Sequence, residues 1–263
     1  MKNPNATFAD ILAQYTQRFL CLTDFDLTIY TPDIGQVGIA QFGSNLPGTQ
    51  KRRWEAMDDA YKLPGTTIKM GDLIEFALQE CIAGAGSLDA FVEWLKTRHS
   101  LIPGVPELMR FLGEYGILPF GATNGSVQIA ARMLEHHHIV MPFVGNSLNL
   151  SGGVPTLDCF HNREEGVRKG DLVIEAEPLG KKVVLCCGDS KGDISMAYET
   201  ARRGGLVLAR TGLGLADFLR KNVPSSQWAE YDDFRDVLPW LADRLPSVMD
   251  GVVSFDQVAT AAA

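Results

Sequence analysis

The sequence predicts an α/β protein built on a Rossmann-like, doubly wound parallel sheet. From Pro103 onward, short apolar segments alternate with segments of helical periodicity, which is the pattern of parallel strands joined by helices. Three of the apolar segments in the chain end in short polar loops. Because ligands of open α/β sheets bind at the carboxyl ends of the strands, the pattern also predicts where a site would lie.

The segments before residue 103 predict one strand of this sheet and a separate helical block. Apolar residues recur at helical spacing over about 7–18. The apolar run Phe19–Thr23 ends at Asp24, as a buried parallel strand ends at a functional loop. Between 31 and 102 we find no buried strand, and helices are expected near 51–62, 70–83 and 87–98.

The rest of the chain completes the predicted sheet. We divide the chain into a Rossmann-like catalytic core (1–30 and 103–245), a small helical cap inserted after the first strand (31–102), and a tail (246–263) that is loose or a weakly docked helix. The apolar spacing of Trp228, Phe234 and Trp240 is typical of core residues. Strands are expected at 117–122, 142–150, 182–187 and 206–209, and helices at 106–115, 127–137, 166–176, 194–203, 213–222 and 234–244.

Composition and charge exclude several classes of function. A net charge of −8 does not suit nucleic acid, whose phosphates need a basic surface. No window reaches the roughly 20 apolar residues that a membrane span requires, so no membrane partner is expected. The five cysteines are odd in number and lack metal-site spacing. Together with the missing signal-peptide pattern, this favours reduced thiols and a cytoplasmic location.

Three strand-ending loops carry the candidate site. The four aspartates of the first and third loops would share one crevice, where carboxylates repel one another unless a hard cation lies among them. Oxygen ligands and an incomplete protein shell suit Mg²⁺, which can polarise a phosphoryl group. The three loops are Asp24–Thr28, Ala122–Ser126 and Gly188–Asp193.

The first loop offers two carboxylates for covalent chemistry. Residues i and i+2 of a strand share one face, so Asp24 and Asp26 can reach the same crevice. One of them can attack phosphorus and form an aspartyl-phosphate, while the other protonates the leaving oxygen and later activates water.

Phosphate binding also needs hydrogen-bond donors around the transferred group. The Thr123 hydroxyl is one candidate. The backbone N–H groups of Asn124 and Gly125 are others, because they precede a predicted helix and helix N-termini bind anions. A lysine would complete the charge balance, and Lys169 opens the helix that precedes the strand at 182–187.

These motifs, in this order, resemble those of the haloacid-dehalogenase-like hydrolase superfamily over nearly the whole chain. The first family motif, DxDxT, matches Asp24–Thr28, and the second, a Ser or Thr after a strand, matches Thr123. The fourth, an acidic loop after a strand, matches Gly188–Asp193. The third, a lysine, best matches Lys169, with the lysines at 181 and 182 as alternatives at the start of the strand.

The resemblance implies a role for each matching residue. Asp24 would be the nucleophile and Asp26 the general acid/base, a pair that marks the phosphatase branch of the superfamily. Thr123 and Lys169 would hold the phosphate. The implied magnesium ligands are Asp24, the backbone carbonyl of Asp26, and Asp189, supported by Asp193.

The resemblance also implies a substrate class. The helical block at 31–102 is similar to the small cap of the phosphoserine-phosphatase-like subgroup, so we expect Mg²⁺-dependent hydrolysis of a small phosphorylated metabolite. Gly192 stands where phosphoserine phosphatases usually carry Asn, which argues against phosphoserine itself. The alternatives are a phosphotransferase, a phosphoprotein phosphatase, or a catalytically silent, regulatory phosphate-ligand-binding protein. The oligomeric state is left open.

Overall fold

The structure is a computed structural model, and it describes residues 7–42, 55–59 and 67–251. The chain forms two compact units. The first unit consists of Met1–Ile29, Leu101–Ala122 and Arg168–Ala263, and the second unit consists of Tyr30–Ser100 and Thr123–Val167.

Strands and helices alternate along most of the described chain. The strands are β1 (Phe19–Thr23), β2 (Tyr30–Thr31), β3 (Ser100–Leu101), β4 (Ile117–Ser126), β5 (Phe143–Asn149), β6 (Thr156–Asp158), β7 (Lys182–Gly188), β8 (Leu206–Arg210) and β9 (Trp228–Tyr231). The helices are α1 (Phe8–Leu12), α2 (Ile34–Phe42), α3 (55–59), α4 (Met70–Ala85), α5 (Leu88–Arg98), α6 (Val105–Glu114), α7 (Val127–Glu135), α8 (Lys169–Ala176), α9 (Ile194–Arg202), α10 (Gly214–Asn222) and α11 (Phe234–Met249). Among the described residues, 3₁₀ turns occupy Glu177–Leu179 and Lys191–Asp193.

The first unit is built on parallel strands in the order β4-β1-β7-β8-β9. β1 lies between β4 and β7, with Thr23 paired to Gly121 on one side and to Cys187 on the other. This register brings the loops after β1 and β7 together, and the Asp24 N–H donates to the Cys187 carbonyl at 3.0 Å. The predicted α/β fold with a Rossmann-like parallel sheet is confirmed.

The inner strands of the first unit are apolar because both of their faces are buried. In β7, all residues after Lys182 are buried. Helices supply the covering layers; Phe8 of α1, for example, meets Phe120 of β4 edge to face at 5.2 Å. α11 runs through Met249 and buries Leu245 and Val248, so the chain continues as a packed helix past residue 245. Residues 252–263 lie outside the described part of the chain.

The second unit is mainly helical. Its largest helix, α4, has 16 residues, and α5 begins after Ser87, whose hydroxyl oxygen accepts from the Ala90 N–H at 3.1 Å. An aromatic cluster packs α2 against α5: the Phe42 ring lies 5.8 Å from that of Phe91 and 4.9 Å from that of Trp94. The unit also contains β5, which pairs antiparallel with β6.

Several element boundaries differ from the sequence predictions. The first helix ends at Leu12 rather than near residue 18, and the Lys181 ammonium donates to main-chain carbonyls of the segment that follows. β6 and β9 were not predicted, because both are short and carry polar residues. Of the three aromatic residues expected in the core, Phe234 is buried, whereas Trp228 and Trp240 are only half-buried. Of the helix predicted at 51–62, residues 55–59 are helical and the others lie outside the described residues.

The helices and the cysteines bear on the predictions that the chain has no membrane span and no disulfides. Across residues 7–42, 55–59 and 67–251, none of the helices combines the length and the apolar character needed to cross a bilayer. All five cysteines are free thiols. Four of them are buried and Cys159 is half-buried, in keeping with cysteine as a small apolar residue.

Candidate active site

Three buried aspartates meet at the carboxyl edge of the sheet in the first unit. Asp24 directly follows β1, Asp189 directly follows β7, and Asp193 closes the 3₁₀ turn after Asp189. One carboxylate oxygen from each lies within 4.8 Å of the others. The sequence predicted this convergence from strand order, and the register of β1 against β7 produces it.

Lys169 enters the same cluster from the first turn of α8. Its ammonium donates to Asp24 Oδ1 and to Asp193 Oδ1, both at 2.6 Å, and its side chain is 3% exposed. Gly170 permits this approach, because a Cβ there would lie 2.9 Å from Ser195 Cβ on α9. The alternative lysines bind elsewhere: Lys181 donates to the carbonyls of residues 15 and 17, and Lys182 to that of residue 248.

Asp193 is fully buried, and both of its carboxylate oxygens accept hydrogen bonds. Oδ1 receives the Lys169 ammonium. Oδ2 receives the backbone N–H groups of Asp189 at 2.9 Å and Ser190 at 3.1 Å. Gly188 leaves room for this, since a Cβ there would lie 2.7 Å from Asp193 Cβ. Asp193 therefore fixes the shape of the loop that carries Asp189.

Asp189 is held by the loop that follows Asp24. The Thr28 hydroxyl donates to Asp189 Oδ1 at 3.3 Å. Thr28 in turn accepts, at its carbonyl, the hydroxyl of Tyr231 at 3.1 Å. Between Asp24 and Thr28 the chain turns through Leu27, whose φ of 58° lies in the left-handed region that L residues rarely occupy.

Burial sets the electrostatics of this cluster. Removal from water raises the pKa of Asp24 to about 6, against the opposing pull of the Lys169 ammonium. Burial, together with the neighbouring Asp24 and Asp193 carboxylates, raises the pKa of Asp189 to about 9. Burial alone would lower the pKa of Lys169, but the Asp193 and Asp24 carboxylates raise it above its ordinary value. One ammonium thus faces three carboxylates, which leaves excess negative charge in a buried place.

The donor set of the cluster fits a hard divalent cation. All candidate ligand atoms are carboxylate oxygens, the ligand type that Mg²⁺ and Ca²⁺ prefer. A divalent ion would also offset the excess negative charge, which buried carboxylates otherwise relieve by taking up protons.

Asp26 lies in the loop after β1, half-buried. Its carboxylate is not one of the three that converge in the tight cluster. The resemblance implied a metal contact through the Asp26 backbone carbonyl and acid/base work by its side chain, and both assignments remain predictions.

Thr123, Asn124 and Gly125 belong to the second unit. The buried Thr123 hydroxyl oxygen accepts the Gly125 N–H at 2.9 Å. The Asn124 side chain accepts the Val167 N–H at 2.6 Å. Residues 123–126, expected in a loop, belong to β4, and the helix that they precede begins at Val127, so the Gly125 N–H is engaged by Thr123 within the strand rather than at the helix end.

Sequence reasoning missed two contributors to the site. Thr28 was quoted as part of the first motif, but no contact was predicted for it. Tyr231 was not considered, because the strand that carries it was not predicted. The available signal was its position: Tyr231 is the last residue of a strand beside β8, and strand ends on this edge of the sheet face the site.

No protein-family model and no curated protein matches the chain, whereas solved structures do. An analogue of the phospho-aspartyl intermediate of phosphoserine phosphatase is 19% identical, with a TM-score of 0.57, covering 86% of this chain and 99% of that one. A HAD family hydrolase from Salmonella enterica serovar Typhi is 16% identical, with a TM-score of 0.60 and coverages of 88% and 74%. Cytosolic 5′-nucleotidase IIIB bound to cytidine is 14% identical, with a TM-score of 0.56 and coverages of 92% and 90%.

These likenesses establish the fold. The chain has the α/β fold of phosphoserine phosphatase and of HAD family hydrolases, as the resemblance at the motifs predicted. At identities below a fifth, the likeness shows the fold alone, and function must be argued from the site.

Proposed function

We propose that the chain is a Mg²⁺-dependent phosphatase that hydrolyses a small phosphate monoester through an aspartyl-phosphate on Asp24. One observation carries the proposal: a buried strand-end aspartate is held by a lysine among further carboxylates. The pKa values of Asp24 and Asp189 are raised, and carboxylates with strongly perturbed pKa values cluster at functional sites. The similar phosphoserine phosphatase structure holds an analogue of a phospho-aspartyl intermediate, which supports the assignment.

Asp24 and Asp189, with the backbone carbonyl of Asp26, are the proposed magnesium ligands. The resemblance implied that Asp193 supports the metal's ligands, and we keep that role because both of its oxygens already accept hydrogen bonds. Partners of this kind orient the direct ligands of a metal. Bound Mg²⁺ would draw negative charge from the phosphoryl group.

The chain's own carboxylates perform the proposed chemistry. An oxygen of Asp24 forms a bond to phosphorus as the bond from phosphorus to the leaving oxygen breaks. Asp26 donates a proton to that leaving oxygen, then takes a proton from the water that attacks the aspartyl-phosphate. Inorganic phosphate departs and the Asp24 carboxylate is regenerated. Lys169 favours the ionised form of Asp24 that the first step needs.

Thr123 and Lys169 are the proposed phosphate-binding residues, with the N–H groups of Asn124 and Gly125 as further donors. The Thr123 oxygen accepts from Gly125 N–H, so its own proton can be donated to a phosphate oxygen. Because the Gly125 N–H is already bonded to Thr123, the Thr123 hydroxyl is a stronger candidate phosphate donor than the Gly125 N–H. The Asn124 side chain supports its loop through Val167.

The proposed substrate is a small phosphorylated metabolite. The similar structures include a phosphoserine phosphatase and a 5′-nucleotidase, so amino-acid phosphates and nucleoside monophosphates both belong in a first test. Gly192, exposed in the loop after β7, stands where phosphoserine phosphatases usually carry Asn, which leads us to expect weak activity on phosphoserine.

The test is release of inorganic phosphate from a panel of small esters: O-phosphoserine, nucleoside 5′-monophosphates and sugar phosphates. We expect turnover with Mg²⁺, loss of turnover with a chelator, and loss in Asp24→Asn. Asp171→Asn is the matched control, because Asp171 is a partly exposed aspartate of α8 that pairs with Arg168. Phosphate release in chelator and in Asp24→Asn equal to that of the unsubstituted protein with Mg²⁺ would contradict the proposal. Mg²⁺ binding without turnover on any ester would favour a binding protein.

A further inference from the structure

Tyr231 is a buried tyrosine at the end of β9, which two strands separate from β1. β7 and β8 lie between β1 and β9, yet the Tyr231 hydroxyl reaches the loop after β1 and donates to the Thr28 carbonyl at 3.1 Å. The Tyr231 ring stacks on Phe234, with centroids 4.0 Å apart, and the Arg210 guanidinium lies 5.9 Å from its centroid. These contacts of the ring therefore fix the position of the Tyr231 hydroxyl.

Thr28 connects this hydroxyl to the aspartate cluster. It is fully buried, accepts from Tyr231 at its carbonyl, and donates its own hydroxyl to Asp189 Oδ1 at 3.3 Å. That last distance is long for a hydroxyl–carboxylate hydrogen bond, so a small shift of Thr28 would break it.

The loop that carries Thr28 has a backbone that needs support. It turns tightly, with the Ile29 N–H donating to the Phe25 carbonyl at 2.9 Å. Leu27 within it has a φ of 58°, and such a conformation in a non-glycine residue persists only where surrounding contacts hold it. The hydrogen bond from Tyr231 is one of those contacts.

We propose that Tyr231 is a positioning residue: its hydroxyl holds Thr28, and Thr28 orients the Asp189 carboxylate for a divalent cation. The proposal rests on the proposed function, because Asp189 is there a magnesium ligand. It adds a residue that touches neither the metal nor the substrate. Residues that orient metal ligands from outside affect metal affinity without contacting the ion.

Tyr231→Phe tests the effect of the hydroxyl separately from that of the ring. Phenylalanine keeps the stack on Phe234 and removes only the proton donated to Thr28. Tyr30→Phe is the matched control, because Tyr30 is also buried and its hydroxyl donates to the Met133 carbonyl at 3.1 Å, within the second unit. Thr28→Val removes the hydroxyl that reaches Asp189, and Thr28→Ser retains one.

The experiment is a calorimetric titration of Mg²⁺ into substrate-free protein, with the melting temperature measured alongside. We expect Tyr231→Phe and Thr28→Val each to weaken Mg²⁺ binding about tenfold, the lower end of the range for residues behind a metal ligand. The double variant should also lose about tenfold rather than a hundredfold, because both changes act on one chain of contacts. Tyr30→Phe and Thr28→Ser should bind Mg²⁺ within about twofold of the unsubstituted protein.

The possible results separate this inference from the proposed function. Unchanged Mg²⁺ affinity in Tyr231→Phe, with a melting temperature lowered as in Tyr30→Phe, would overturn the positioning role alone. Fully additive losses in the double variant would also overturn it. Should Tyr231→Phe fail to fold, unchanged affinity in Thr28→Val would do the same. No Mg²⁺ binding by the unsubstituted protein would overturn both proposals.

Discussion

Lys169 and Arg163 each bond to two carboxylates, and the two clusters differ in burial. In the Lys169 cluster, Lys169 bonds to Asp24 and Asp193, and their side chains are 3%, 11% and 0% exposed. In the Arg163 cluster, within the second unit, Arg163 bonds to Asp72 at 2.5 Å and Glu75 at 2.8 Å, with side chains 33%, 40% and 20% exposed.

The Arg163 cluster has the features of a structural link. Glu75 accepts the Leu157 N–H at 2.6 Å, and Arg163 donates to the Leu157 carbonyl at 3.1 Å. These bonds fasten α4 to β6. Water reaches all three charged side chains, so the charges need no further partner.

The Lys169 cluster has a third carboxylate, Asp189, and all of its side chains are buried. A buried charge without a partner is costly, so an excess of buried carboxylates favours the binding of a cation. The difference teaches that burial, rather than the presence of an ion pair, separates a candidate cation site from a structural contact.

The largest effect on stability is expected from removing the Lys169 ammonium. Lys169→Met leaves buried carboxylates without their ammonium, and we expect it to lower the free energy of unfolding by about 3–5 kcal/mol at neutral pH without Mg²⁺. Urea unfolding measures this, and added Mg²⁺ should restore part of the loss. A loss below about 1 kcal/mol, the value typical of exposed pairs, would show that the cluster is not electrostatically strained.

The next largest effect is expected in the pH dependence of the free energy of unfolding. The pKa of Asp24 is raised to about 6 and that of Asp189 to about 9, from about 4 in the unfolded chain. The folded chain therefore keeps protons that the unfolded chain loses. Without metal, the contribution of these two groups to stability should be fully present at or below about pH 4 and be lost as the pH rises, on the order of 1 kcal/mol per pH unit, toward pH 9.

Mg²⁺ should reverse that trend, because its ligands must be ionised and its binding releases protons. Melting temperatures measured from pH 5 to pH 9, with and without saturating Mg²⁺, test both statements. A metal-free protein whose stability rises over this range would contradict the raised pKa values of Asp24 and Asp189.

The smallest effect is expected at the Arg163 cluster. Arg163→Met should lower the free energy of unfolding by about 1 kcal/mol, because its partners remain partly hydrated. Mg²⁺ affinity should stay unchanged, and added Mg²⁺ should not compensate for the loss. Calorimetry and urea unfolding report these two quantities; weakened Mg²⁺ binding in this variant would remove the distinction between the two clusters.

The sequence was sufficient to predict the parallel sheet and the edge where the aspartates meet. Apolar runs such as Lys182–Gly188 are buried on both faces, and such runs are recognisable without tertiary contacts. Asp24 and Asp189 each follow such a run, so their convergence depends only on strand pairing. The position of Lys169 was predictable from motif order, and the structure places its ammonium against Asp24.

Other features depend on contacts between residues far apart in the chain. β9 is a four-residue strand with three half-buried residues, which gives no clear periodicity, and Tyr231 was missed with it. The grouping of 123–167 with 30–100 in one compact unit likewise has no local signal. The link from Thr28 to Asp189 spans 161 residues, and only the fold defines it.

The formation of a phosphoenzyme at Asp24 is the most direct test of the proposed chemistry. Asp26→Asn lacks both the acid for the leaving oxygen and the base that activates water. With an aryl phosphate, whose leaving group departs without a proton, the aspartyl-phosphate should therefore accumulate when this variant is mixed with the ester and Mg²⁺ and quenched in acid. Peptide mass spectrometry should then find one added phosphoryl group on Asp24. Phosphate release that persists in Asp24→Asn, with no phosphorylated aspartate in Asp26→Asn, would contradict a covalent mechanism at this site.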